Sequence, residues 1–218
     1  MKNLASIIFL ERPVEDLDWV IYILVLTMVI VAIGRVLFNN NFESLRRFDR
    51  FLEVNDNQAL FGLLFQIVFA ILVSSIIVTF FSGKYDYLLH TPYLKVGVLS
   101  ILILVFFGVR TLLNRVASFA FGITYDRIYN TKTFNYFRVY LVVALWIAIL
   151  LFYFTPINRF ILLGILLIFM IIIRVVSYMR VMKNQQDKKS KIWYYNILYL
   201  CALEILPMLV LFKLLSVW

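Results

Sequence analysis

LFGLLFQIVFAILVSSIIVTFF, residues 60–81, runs for twenty-two positions without a charged side chain. A helix of about 20 apolar residues covers the ~30 Å hydrocarbon thickness of a bilayer. Leu, Ile, Phe and Val recur on every helical face of this stretch, so it has no side suited to water and reads as a membrane-crossing helix. Five further apolar runs of similar length flank it, at about 19–38, 93–110, 139–154, 160–177 and 192–215. The expected fold class is therefore an all-α integral membrane protein with six transmembrane helices, forming one polytopic membrane domain over residues 1–218.

Composition agrees with that class. Hydrophobic residues make up 64% of the 218-residue chain and charged ones 15%, against about 25% charged in ordinary soluble domains. Little length remains for a folded soluble domain. The first eighteen residues, MKNLASIIFLERPVEDLD, combine a short apolar patch with four acids and no small-residue cleavage site, so Met1 is the expected mature start. The single cysteine, Cys201, falls in the last apolar run and reads as a packing residue.

Lys and Arg near alternate helix ends set the orientation. Fifteen of the 21 fall on one side: Arg35, Arg46, Arg47 and Arg50, then Arg110, Arg115, Arg127, Lys132 and Arg138, then Arg174, Arg180, Lys183, Lys188, Lys189 and Lys191. Lys2, Arg12, Lys84, Lys95, Arg159 and Lys213 fall on the other. The three longer basic loops are expected in the cytoplasm and both termini in the periplasm. The net charge of +9 is thus explained by anionic headgroups rather than by nucleic acid, which is not an expected partner.

Between the first two spans, FESLRRFDRFL places Phe42, Leu45, Phe48, Phe51 and Leu52 on one helical face and Arg46, Arg47 and Arg50 on the other. This pattern predicts an amphipathic interfacial helix on the cytoplasmic leaflet. The third helix is expected to continue beyond Arg110 to about Phe121, and Thr155-Pro156 is expected to end the fourth. TYDRIYNTKTFNYF, residues 124–137, reads as a contact surface or an interface-hugging turn, with Tyr125, Tyr129, Phe134 and Tyr136 as the candidate interface. Arginines at Arg35, Arg110 and Arg174 sit at similar depths in the three inward-running helices; the positive-inside bias explains this more simply than a three-hairpin repeat.

Glu204 is the most informative polar residue, near the middle of the sixth run with Pro207 three residues on. A carboxylate at that depth costs about 2.5 to 3.5 kcal/mol on insertion scales, so it needs a partner, water or a proton. Pro207 leaves the carbonyl of Leu203 without its helical donor. Two readings follow: an interhelical hydrogen bond beside a packing kink, which is preferred, or a proton or cation site beside a broken turn. Gln66, Ser74, Ser75, Ser100 and Asn196 are the candidate partners within the chain. Arg110 with Asn114, and Arg174, read as headgroup anchors, with a phosphate pocket as the alternative. His90 and Asp86 lie in one outer loop without a nucleophile. No catalytic, cofactor or metal constellation is assembled by these residues, and no GxxxxGK[ST], HExxH or GxSxG motif occurs.

WYYNILYLCALEILPMLVLFKLL at the end of the chain, RPVEDLDWVIYILV at its start and the RRFDRFL segment resemble a family of small integral membrane proteins from Bacteroidota, catalogued as a domain of unknown function. The resemblance covers essentially the whole chain and implies a bacterial inner (cytoplasmic) membrane location, with no assigned catalytic residue. The expected function is a non-catalytic accessory or scaffold subunit of an inner-membrane complex in protein export, secretion or envelope biogenesis. Its expected partners are membrane lipids and other inner-membrane proteins. The alternative is a small transporter or lipid flippase using Glu204 as a coupling carboxylate.

Overall fold

The computed structural model describes residues 18–54, 57–80, 91–120 and 124–185. Among these residues seven helices follow in chain order: α1 (Asp18–Leu37), α2 (Asn39–Ser44), α3 (Phe48–Glu53), α4 (Gln58–Phe80), α5 (Pro92–Ala120), α6 (Thr124–Phe154) and α7 (Arg159–Gln185). Five of them, α1 and α4 to α7, contain stretches long and apolar enough to cross a membrane. The chain is a multi-pass membrane protein. The sixth expected span, 192–215, lies outside the described residues.

The helix that decided the class is also the centre of the bundle. Being apolar all round, α4 has no face to reserve for solvent, and it packs against α1, α5 and α6. Phe61, Phe65, Val68 and Leu72 along it are buried against Leu145, Ile149 and Phe152 of α6. Between helices already surrounded by apolar material, close van der Waals packing and hydrogen bonds carry the association. Gly34 of α1 allows such an approach, because a Cβ there would stand 2.7 Å from a Leu64 methyl group.

Aromatic contacts at the two ends show how the spans alternate. At one end Trp19 meets Tyr153 edge-on with ring centroids 5.4 Å apart, and Tyr22 lies 6.5 Å from Tyr93. At the other, Phe38 meets Phe61 and Phe48 meets Tyr136, at 6.0 and 5.1 Å. The second end gathers the C-terminus of α1, the N-terminus of α4 and Arg180 of α7, and is called here the basic end.

Two local expectations are revised. The segment 42–52 forms two short helices in place of one, separated at Leu45–Arg47, where Arg47 is extended with φ −134° and ψ 120°. The break lets Phe42 turn toward Phe61 and Phe65 of α4 while Phe48 turns toward Tyr136 of α6. Arg46, Arg47 and Arg50 remain exposed, so the two-faced pattern holds although the continuous helix does not. Residues 124–137 are helical rather than a turn, and α6 begins at Thr124, well ahead of Val139. Lys132 and Asn135 in this stretch bond to carbonyls at the end of α3 and the start of α4, although hydropathy alone scores them as loop residues.

The remaining boundaries follow the sequence. Helix α5 continues to Ala120, beyond its apolar portion. Helix α6 stops at Phe154, before Thr155-Pro156, and Asn158 caps the next helix by accepting the Phe160 backbone N–H at 3.0 Å.

Candidate functional site at the basic end of the bundle

Three residues at helical spacing on α6, Lys132, Asn135 and Arg138, direct nitrogen donors at the backbone of the preceding segment. The Lys132 ammonium donates to the carbonyls of Leu52 and Val54 at 2.7 and 3.1 Å. Those carbonyls belong to the C-terminus of α3, where a helix leaves acceptors without intrahelical donors. From the first turn of α4, the Gln58 amide donates to Phe51 O at 2.9 Å and also to Val54 O. The end of α3 is thus held from two helices at once.

One turn along α6, Asn135 donates to Gln58 O at 3.3 Å, and Arg138 donates to Gly62 O at 3.1 Å and to the Asn135 carboxamide oxygen at 3.3 Å. Glycine at position 62 leaves room for the Asn135 carboxamide. A Cβ there would meet the Asn135 amide nitrogen and lie 2.6 Å from its Oδ1 and 2.7 Å from its Cγ. Thr133 and Asn135 are buried at this crossing.

Aromatic packing surrounds the polar contacts. Phe51 is fully buried, with its ring centroid 5.9 Å from Phe61 and 5.5 Å from Tyr136. The Arg180 guanidinium of α7 stands 4.5 Å from the Phe48 centroid and 5.9 Å from that of Phe137, within cation–π range. Tyr140 donates to Leu45 O at 3.1 Å, and its hydroxyl lies 3.1 Å from that of Tyr136. At this end α4, α6 and α7 each reach the α2–α3 segment.

Deeper in the bundle, hydroxyls join helix to helix. The Ser74 and Ser100 hydroxyls are 2.6 Å apart across α4 and α5, one donating to the other, while the accepting hydroxyl gives its own proton to a carbonyl of its helix, Ala70 O from Ser74 or Val96 O from Ser100. The Tyr153 hydroxyl donates to Ser75 O at 2.8 Å, and the Trp146 indole N–H reaches Thr27 Oγ1 at 3.4 Å. The Ser75 hydroxyl donates to Ile71 O at 2.8 Å, so three of the side chains considered as partners for Glu204 are engaged inside the described bundle. Glu204 and Pro207 themselves lie outside the described residues, as do His90, Asp86 and Cys201.

Of the other candidate positions, Arg110 is half-buried on α5 and Phe134 is half-buried on α6. Tyr136 sits among Phe48, Phe51, Phe137 and Tyr140. Asn114 lies on α5, Arg174 on α7, and Tyr125 and Tyr129 in the first turns of α6, with side chains outside the description. Sequence reading placed Lys132 and Asn135 in a contact surface at 124–137 without naming what they meet, took Arg138 as a positive-inside charge, and passed over Gln58 and Gly62 as contact residues. The available signal was the three-residue spacing of 132, 135 and 138, which runs in phase with buried Val139, Val142 and Leu145.

As chemistry, this arrangement is a latch: cationic and amide donors meet carbonyl acceptors, and Asp49 and Glu53 of α3 point to solvent. Among the described residues, no group of three or more His, Cys, Asp or Glu side chains is placed to hold a metal ion.

The family profile described as Domain of unknown function (DUF4271) matches residues 19–215. The chain belongs to that family. The match opens at Trp19 in the first turn of α1 and extends through the last apolar run of the sequence. No curated protein and no solved structure matches the chain.

Proposed function

We propose that this protein is a non-catalytic accessory or scaffold subunit of a bacterial inner-membrane complex serving protein export, secretion or envelope biogenesis. One observation carries the reading: Lys132, Asn135, Arg138 and the Gln58 amide nitrogen bond to the protein's own backbone, while its outer helices carry long uncovered apolar stripes. On α7, Ile161, Ile165, Ile168, Ile172, Val176 and Met179 are exposed at three- to four-residue spacing along the helix. Such a stripe suits packing against another helix as well as against lipid.

In the proposed arrangement the chain crosses the membrane six times, with 192–215 as the final span. The basic end faces the cytoplasm and both termini face the periplasm, following the uneven distribution of Lys and Arg. The α2–α3 segment then rests at the cytoplasmic leaflet, with Arg46, Arg47 and Arg50 toward the headgroups.

A photo-crosslinking side chain at Ile168 tests the reading, with one at Leu145, buried between α4 and α6, as the internal reference. Crosslinking in cells should give a protein adduct of defined mass from Ile168 and no intermolecular adduct from Leu145. Adducts to lipid alone from Ile168, and from other exposed positions such as Ile101 and Val105, would count against it.

A further inference from the structure

Helix α7 has three faces, of which one packs on the rest of the described bundle. Leu162, Leu163 and Leu166 lie against the core cluster built around α4 and α6. The exposed stripe through Ile165, Ile168 and Ile172 is a second face. A third runs through Phe160, Gly164, Leu167, Ile171 and Arg174, at intervals of four, three, four and three residues. Phe160, Leu167 and Ile171 are 73%, 50% and 62% exposed, and a Cβ on Gly164 would meet nothing within 4 Å. This is an open apolar surface with a notch at the glycine.

The chain that follows α7 fits this surface. Helix α7 ends at Gln185 at the basic end, and six residues, 186–191, lead to the last apolar run at Ile192. Six residues reach at most about 20 Å. Packed helix axes lie about 8–10 Å apart, so the run re-enters beside α7 or its immediate neighbour. Depth then brings two charges level. Eleven residues separate Arg174 from Gln185 and twelve separate Glu204 from Ile192, about 16 and 18 Å at helical rise. Counted from the opposite interface, fourteen residues separate Phe160 from Arg174 and fourteen separate Trp218 from Glu204. Glu204, Pro207, Leu211, Leu214 and Trp218 recur at three, four, three and four residues, the intervals of the third α7 face read in reverse.

We propose that residues 192–218 cross back antiparallel to α7 on its third face, with Glu204 paired to Arg174. An acid or a cation within a span is costly alone, and ionisable residues there pair with one another. Leu214 falls level with Gly164, and a small residue opposite a large one lets two membrane helices approach. The proposal rests on the six-span arrangement but not on the accessory role, and it leaves the Ile168 stripe open to a partner.

The full-length chain carrying Cys201→Ser, Leu167→Cys and Leu211→Cys tests it in native membranes. After mild oxidation, trypsin cuts at Lys188, Lys189 and Lys191, and a disulfide keeps the fragments carrying the two cysteines joined on a non-reducing gel. The fragments should stay joined, and should separate when Ile165→Cys, on the second face, replaces Leu167→Cys. Adding Glu204→Arg should lose the crosslink, and adding Arg174→Glu to that protein should restore it. An active C-terminal alkaline phosphatase fusion of the same chain shows the sixth crossing, so a missing crosslink then counts against the docking alone. Fragments that separate with Leu167→Cys/Leu211→Cys, equal joining with Ile165→Cys, or a crosslink between two copies of the chain overturns the docked arrangement. A crosslink that survives Glu204→Arg, or that the paired reversal fails to restore, overturns the ion pair.

Discussion

Replacing Gly62 by alanine perturbs the α4–α6 crossing at its tightest point. The added methyl carbon would overlap the Asn135 carboxamide, lying 2.6 Å from Oδ1 and 2.7 Å from Cγ. Carbon and oxygen cannot rest that close, so Asn135 must rotate away or the helices must part. Overpacking of this kind costs about 1 to 3 kcal/mol. Moving Asn135 also gives up its donation to Gln58 O and its acceptance from Arg138, at about 0.5 to 1.5 kcal/mol each. Alanine's better helix propensity offsets about 1 kcal/mol of this. The net loss is then about 1 to 5 kcal/mol, or a fall of roughly 2 to 20 °C in Tm for a chain of this size. Thermal unfolding in a mild detergent, followed by intrinsic tryptophan fluorescence, measures it. Asn135→Ala removes the obstacle, so the double variant should be more stable than the two single losses predict, by about 1 kcal/mol or more. A Gly62→Ala protein as stable as wild type, or strictly additive losses, would refute the assigned contact.

Lys132→Met keeps the stem but removes the ammonium from the end of α3; it should cost about 1.5 kcal/mol and speed trypsin cleavage at Arg46, Arg47 and Arg50. Unchanged cleavage would show that Lys132 does not hold the segment. Ser74→Ala and Ser100→Ala should show a coupling of about 0.6 kcal/mol in a double-mutant cycle, with ~1.7 as the upper bound seen for such bonds in membranes. Zero coupling would mean that the hydroxyls do not interact. A C-terminal alkaline phosphatase fusion should be active and a C-terminal fluorescent fusion dark, since both termini are proposed to face the periplasm; the reverse pattern contradicts the orientation.

Hydropathy made the spanning helices readable because the bilayer demands the same thing of each: length and an apolar surface. Residues 60–81 could be assigned as a span without knowing their neighbours, and the composition of α4, apolar on every side, already suited it to the middle. The polar end was harder. Lys132, Asn135 and Arg138 look like loop residues when scored singly, because their favourable environment is supplied by carbonyls of Leu52, Val54, Gln58 and Gly62, more than seventy positions away. No local rule encodes such pairings. The break at Leu45–Arg47 was hidden for a related reason: Phe42 and Phe48 satisfy one helical face in sequence, yet they pack against different helices in space. Gly62 carried a faint signal, a small residue in a row of large ones, but nothing in the sequence named Asn135 as the group it makes room for.

Affinity purification of the tagged chain in mild detergent, followed by mass spectrometry, tests the proposed accessory role most directly, with Glu204→Gln purified in parallel. Wild type should bring down one or more inner-membrane proteins in fixed ratio, and Glu204→Gln should express normally but recover less of them. Recovery of the wild-type protein alone would contradict the account.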